Sequence, residues 1–126
     1  MLSEIKDYLK TLNVAEHYSV GKIDGSKEKS LGVYGDTPLR RIEAIGKNSS
    51  YGAMRIRILL HWNKSAVDTE VSAKDLFDKI RYITDLDLTT AYIEYIDWDD
   101  DSPVFVGTDS IGIYEYVISG IVFYRR

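Results

Sequence analysis

The sequence predicts an α+β fold, with a mixed and mostly antiparallel sheet and two main helices packed on one side. Apolar residues recur at helical spacing in only two segments, whereas strand-like alternation and turn residues fill most of the remaining chain. A crossover helix between tightly connected strands also favours a sheet layered with helices. The length of 126 residues and the hydrophobic content of 44% suit one domain, residues 1–126, with a single core.

The first half of the chain begins with an amphipathic helix over residues 1–13. Leu2, Ile5, Leu9 and Leu12 recur there at helical spacing, and charged residues occupy most of the other positions. Turn residues then separate shorter elements, which are two short strands at 17–23 and 31–34 and a strand or extended arm at 39–45.

The clearest strand lies at residues 54–62. Its even positions are apolar or aromatic, and Arg55 and Arg57 share the opposite face. A second helix is predicted over residues 70–83, where an apolar stripe recurs at helical spacing. Polar residues at capping spacing mark its start, and they are Ser72 with Asp75 or, alternatively, Thr69 with Ser72.

The final third of the chain is predicted as strands joined by an acidic turn. Residues 89–98 are rich in strand formers, the turn Asp99–Pro103 follows, and a short strand at 104–106 leads to the terminal strand at 111–126. Both faces of that terminal strand carry apolar or aromatic side chains. One face can pack on the chain's own helices. The other face needs a different cover, which predicts contact with a second copy of the chain or with another partner.

The composition argues against several classes of function. The 16 basic and 20 acidic residues give a net charge of −4, which disfavours binding to a nucleic acid backbone. The absence of cysteine excludes disulfides, thiol nucleophiles, iron–sulfur clusters and cysteine zinc sites. The chain shows no signal-peptide pattern and no apolar run long enough for a membrane span, so we expect a soluble protein made in a cytoplasm.

No residue pattern supports catalysis, a cofactor or a metal. The acidic run Asp97–Asp101 is similar to the start of a calcium loop, but Ser102 and Thr108 stand where that loop needs glycine and glutamate. His17 and His61 lie far apart, and nothing in their spacing predicts a shared site. We therefore expect a solvated turn and structural histidines, and assign no catalytic, cofactor-binding or metal-binding residue.

Arginine and tyrosine residues are the strongest candidates for contacts between subunits. The chain has 10 tyrosines, and aromatic residues are enriched at interfaces because they bring contact area with little entropy to lose. The alternative roles are core packing for the tyrosines and pairing with acidic residues of the same sheet for the arginines. The candidate interface residues are Tyr114, Tyr116, Tyr124, Arg55 and Arg57.

Three segments give the chain a resemblance to a known family. They are the opening helix Leu2-Ser-Glu-Ile-Lys-Asp-Tyr-Leu9, the strand Met54-Arg-Ile-Arg-Ile-Leu-Leu-His-Trp62, and the ending Gly112-Ile-Tyr-Glu-Tyr-Val-Ile-Ser-Gly-Ile-Val-Phe-Tyr-Arg125. Together they resemble the small minor capsid or tail-terminator (tail completion) proteins of long-tailed phages and prophages of Gram-positive bacteria. The resemblance spans nearly the whole chain, and its motifs are structural rather than catalytic.

The resemblance implies a tail-terminator-like α+β subunit that is structural and not an enzyme. Such subunits form a homo-oligomeric ring, typically a hexamer on the virion, that caps the tail tube and joins it to the head; a monomer in solution is compatible with this. The implied partners are further copies, the tail tube and head-completion proteins, without sequence-specific nucleic acid or a membrane. The implied location is the virion, after synthesis in the host cytoplasm.

Three other functions remain open at this point. Within the same class, the chain could be a head-completion or neck adaptor. From different classes, it could be a small acidic binding or inhibitor module, or a small metal-dependent hydrolase or nuclease that uses the acidic cluster.

Overall fold

The computed structural model describes residues 1–35 and 51–125, which form one curled sheet and two helices. The elements in chain order are α1 (Leu2–Thr11), β1 (His17–Val20), β2 (Ser30–Gly35), β3 (Tyr51–His61), α2 (Ala66–Ile80), β4 (Thr84–Asp87), β5 (Tyr92–Trp98), β6 (Val104–Thr108) and β7 (Tyr114–Arg125). The strand or arm predicted at 39–45 lies outside the described residues.

The predicted α+β class is wrong, because the described residues are mostly β. Strands hold 44% of them and helices 23%. Part of the difference comes from β4, which was not predicted and which forms a hairpin with β5, closed by a hydrogen bond from Leu88 N–H to Ala91 C=O. β4 reads Thr-Asp-Leu-Asp, so it has too few apolar residues to show the alternation by which strands are recognised.

β7 is the central strand of the sheet. The strand order is β1-β2-β3-β7-β5-β4, and β6 pairs with β7 beside this path. One edge of β7 pairs antiparallel with β3 along the whole of that strand, and its other edge pairs first with β6 and then with β5. β1 and β2 are parallel, whereas the other described pairs are antiparallel.

Both helices bury their apolar stripes against one face of the sheet. Ile5 and Leu9 of α1 belong to the same buried cluster as Leu76 and Ile80 of α2. The sheet contributes alternating strand residues to this cluster, which are Leu31, Val33, Ile56, Ile58, Leu60, Ile93, Ile96, Ile118 and Val122. Because successive strand residues point to opposite sides, the other face of the sheet is left without either of these helices.

α2 begins earlier than the predicted range 70–83. Ser65 is the N-cap, and its side-chain oxygen accepts a hydrogen bond from Asp68 N–H at 3.2 Å. The residues expected to cap the helix, Thr69 and Ser72, lie inside it instead, and the Thr69 hydroxyl donates to Ser65 C=O at 2.8 Å. The sequence therefore has several polar residues at capping spacing, and the helix begins at the earliest of them.

We expect Ser65→Ala to lower the free energy of unfolding by about 1 kcal/mol, because the Asp68 N–H loses its acceptor. Ser72→Ala is the matched control, and it should be neutral or slightly stabilising because alanine is the better helix former inside a helix. Urea denaturation followed by circular dichroism measures both. Equal effects of the two substitutions would contradict the assignment of the cap.

Candidate interaction surface

The face of the sheet away from the helices, called the outer face below, carries apolar side chains and arginines. It consists of the odd positions of β3 and β7, whose cross-strand pairs include Arg55 with Ile121, Arg57 with Ser119, and Leu59 with Val117. Tyr34, Arg57, Leu59 and Val117 line a shallow depression of about 200 Å³. Nearer to β5, the Tyr95 and Phe123 rings stack with their centroids 4.8 Å apart.

β6 adds an exposed apolar edge to this surface. Among the described strands it pairs with β7 alone, and its residues Val104, Phe105 and Val106 are 42%, 52% and 52% exposed. Val104 lies opposite Val117 and therefore belongs to the outer face, whereas Phe105 lies opposite Tyr116 on the helix side. An edge strand with unpaired backbone groups and exposed apolar side chains is a template for another chain. These three residues are called the β6 edge below.

On the helix side, the β6 edge continues into an aromatic cluster. The Phe105 ring centroid lies 6.0 Å from that of Tyr114 and 5.4 Å from that of Tyr116. Tilted aromatic pairs of this kind contribute about 0.5–1.5 kcal/mol beyond the area that they bury. The cluster therefore holds β6 against β7 while the Phe105 ring stays half exposed.

The three candidate tyrosines lie on the helix side of β7 and not on its outer face. They occupy even positions, as do the buried Ile118 and Val122. Tyr116 and Tyr124 are partly buried against the core, and the Tyr124 ring covers Gly52. Much of the surface of these side chains is thus in contact with the rest of the chain. Their part in an interface stays a prediction that rests on the exposed part of each ring.

The two candidate arginines lie on the outer face. Arg55 Nη1 is 2.6 Å from Asp99 Oδ2, and the side chains are 34% and 36% exposed. Asp99 N–H also donates to Ser119 C=O at 2.9 Å, so the start of the acidic turn is fixed to the sheet. Arg57 is exposed beside the depression. The five candidate residues therefore fall on two opposite faces and do not form one patch.

A buried histidine closes one end of the outer face. His61 is 2% exposed, its Nδ1 lies 2.9 Å from Glu115 Oε2, and its Nε2 lies 3.1 Å from Gly25 C=O. Asp109 Oδ2 is 3.7 Å from the same Nε2. Carbonyl and carboxylate oxygens only accept hydrogen bonds, so both ring contacts are satisfied when the imidazole carries both of its protons. His61 thus joins β3 and β7 to the loop that follows β1.

Asp109 holds the loop between β6 and β7. Its Oδ1 accepts hydrogen bonds from Ile113 N–H at 2.9 Å and from Ile111 N–H at 3.0 Å. The Ile113 bond, followed by the Ile111 bond and the nearby His61, holds the pKa of the Asp109 carboxyl below its ordinary value. The ionised carboxylate therefore stabilises this loop.

We expect Asp109→Asn to flatten the acid side of the stability profile. A carboxyl whose pKa is lowered by folding stabilises the protein above its unfolded pKa, and this contribution is lost as the pH falls through the folded pKa. The wild type should lose more stability than Asp109→Asn between about pH 5 and pH 2, measured by urea denaturation at several pH values. Asp100→Asn, in the exposed acidic turn, is the control, and parallel profiles for wild type and Asp109→Asn would contradict the expectation.

The described residues contain no cluster of typical metal ligands. Within 1–35 and 51–125, no three histidine, aspartate or glutamate side chains are grouped to hold one. Neither of the described helices is long and apolar enough to cross a membrane.

Comparisons with known proteins bear on the fold alone. No family model and no curated protein matches this chain. A solved structure whose description names neither an activity nor an organism is similar to it, with a TM-score of 0.52 and 14% identity, over 98% of this chain and 89% of the other. At that identity the likeness shows a shared fold and carries no function.

Proposed function

We propose that this protein is a structural subunit of a tailed virion, a tail terminator or minor capsid protein. In this proposal, copies of the chain form a ring that caps the tail tube and joins it to the head, and no catalytic residue or cofactor takes part. Two things support the proposal. One is the resemblance carried by the opening helix, the arginine-bearing strand and the chain ending, and the other is a single structural observation.

That observation is the apolar surface made by the β6 edge and the adjoining outer face. Val104 lies beside Val117, which in turn lies beside Leu59, so apolar side chains continue across three neighbouring strands, and no described helix or strand packs over them. Removing apolar surface from water contributes about 25 cal/mol per Å². A chain that acts by assembly needs such a contact surface rather than a reactive group, and a stable interface buries roughly 1,200–2,000 Å² in total.

Association at rising protein concentration tests this proposal. Sedimentation velocity and electron microscopy, carried up to about 1 mM protein, should show a closed ring, either alone or bound at one end of tail tubes from the virus or prophage that encodes the chain. A chain that stays monomeric at every concentration and also leaves tail tubes unbound would contradict the proposal.

A further inference from the structure

A basic cleft lies between α1, β1 and the loop that follows β1. Its volume is about 350 Å³. Four lysines and two carboxylates, Glu16 and Asp24, line it, although the whole chain has a net charge of −4. These lysines are Lys6, Lys10, Lys22 and Lys27. Lys6 pairs with Asp7 at 3.2 Å, and the other three have no ion pair within 4.0 Å in the described part of the chain.

Tyr18 and Ser19, which line the cleft, also carry hydroxyl groups without an acceptor among the described residues. Tyr18 Oη accepts hydrogen bonds from Val14 N–H at 3.0 Å and Ala15 N–H at 2.8 Å, while its own proton has no acceptor among the described residues. Ser19 Oγ is buried and makes no hydrogen bond. Buried polar atoms are nearly always paired in folded proteins. The three lysines without an ion pair in this cleft fit a ligand that carries several carboxylates.

The chain has a group of that kind in the acidic turn between β5 and β6. Asp99, Asp100 and Asp101 of the turn are exposed, and so is Asp97 near the end of β5. Asp99 is bound to Arg55, and the other three carboxylates make no ion pair with the described residues. The turn therefore presents uncompensated negative charge at a defined position beside β7.

The turn cannot enter the cleft of its own chain. β2 and β3 lie between β1, which borders the cleft, and β7, beside which the turn is fixed by Asp99. Three strand spacings of about 4.8 Å separate β1 from β7 by roughly 14 Å. The cleft and the turn are thus two separate, oppositely charged patches of one molecule.

We propose that the acidic turn of one copy docks in the basic cleft of the next copy. This inference rests on the proposed function, to which it adds a specific subunit contact. Because the two patches differ, the contact is heterologous, and its repetition closes a ring when the rotation between copies allows closure. The carboxylates of the turn accept hydrogen bonds from the lysines of the cleft. The apolar surface described above then supplies the remaining contact area between copies.

Charge reversal on each patch tests the contact. The cleft variant carries Lys10→Glu, Lys22→Glu and Lys27→Glu, and the turn variant carries Asp100→Lys and Asp101→Lys. All five side chains are exposed, so both variants should fold, which circular dichroism and thermal unfolding check. Each variant alone should associate about 10-fold or more weakly than the wild type, since like charges now face each other across the contact. A variant with Lys64→Glu, Lys74→Glu and Lys79→Glu changes the charge equally outside the cleft and should associate normally.

Mixing separates this contact from a general effect of charge. The aspartate turn of the cleft variant fits the lysine cleft of the turn variant, and the lysine turn of the turn variant fits the glutamate cleft of the cleft variant. An equimolar mixture should therefore associate again, with the two variants alternating, and all five substitutions in one chain should do the same. Sedimentation velocity detects this association, which should weaken between about 0.05 M and 0.5 M salt.

Three results would overturn the inference, and they differ in what they say about the proposed function. Wild-type association that is unchanged by both reversals removes this contact and leaves the ring proposal standing. Absence of association in the wild type and in the mixture removes both. If tripolyphosphate or a short oligonucleotide binds the wild type but not the cleft variant, and self-association is unaffected, the cleft serves a phosphate ligand instead.

Discussion

His61→Ala is expected to lower the free energy of unfolding by about 3 kcal/mol, a large loss for one residue of a small domain. The side chain is 2% exposed and contacts acceptors on β7 and on the loop after β1. Its removal leaves a cavity and deprives Glu115, whose side chain is 21% exposed, of its partner at 2.9 Å. Urea denaturation near neutral pH, followed by circular dichroism, measures the loss.

The second histidine of the chain is the matched control. His17 is exposed, so His17→Ala should change the free energy of unfolding by no more than about 0.5 kcal/mol. His61→Gln can retain one of the two hydrogen bonds and should fall between the other variants. If the two alanine variants proved equally stable, the linking role of His61 would be wrong.

Val104→Lys combined with Phe105→Lys is expected to abolish assembly while leaving the fold intact. Both side chains are about half exposed, so the fold should persist. The loss of stability should be about 1 kcal/mol for Val104 and about 1–3 kcal/mol for Phe105, whose ring contacts Tyr114 and Tyr116. In an assembled ring they would be buried, and replacing a hot-spot residue of an interface costs at least about 2 kcal/mol of binding free energy. The two together predict a dissociation constant raised about 100-fold or more, measured by sedimentation velocity.

Two controls accompany this double variant. Phe105→Leu keeps an apolar side chain and should assemble nearly as the wild type does. Tyr82→Lys removes an aromatic residue that is 79% exposed but lies after α2, outside the β6 edge. Normal assembly of the double lysine variant, or an equal defect in Tyr82→Lys, would place the interface elsewhere.

The elements that the sequence predicted well are those in which one face is buried. Alternation across β3 predicted that its apolar even positions share one face, and Ile56, Ile58 and Leu60 on that face are buried. The sequence did not predict β4 because its residues are mostly exposed. It belongs to the sheet through its pairing with β5 in the β4–β5 hairpin. Pairing of that kind is a tertiary effect, which local periodicity does not record. The mostly β character of the chain follows from such pairings.

The candidate interface was only partly accessible to sequence reasoning. The even positions of β7 include both the core residues Ile118 and Val122 and the three candidate tyrosines. The alternation of side chains along a strand therefore already indicated that all five share one face. Alternation could not reveal that Val104 and Phe105 of β6 are exposed at an edge of the sheet. The basic cleft was missed because its lysines come from a helix and a loop that only the fold brings together.

The central position of β7 has a consequence for how the chain acquires its structure. β7 pairs with β3, whose residues precede their partners by 54 positions in the pair His61 with Glu115 and by 74 in the pair Tyr51 with Arg125. Contacts between such distant segments require large loops to close first, so folding should take milliseconds to seconds rather than microseconds. Until β7 docks, β3 and β5 lack the strand that lies between them. The unfolded chain is then most exposed to aggregation, and a chaperone that binds apolar strands would act in this interval.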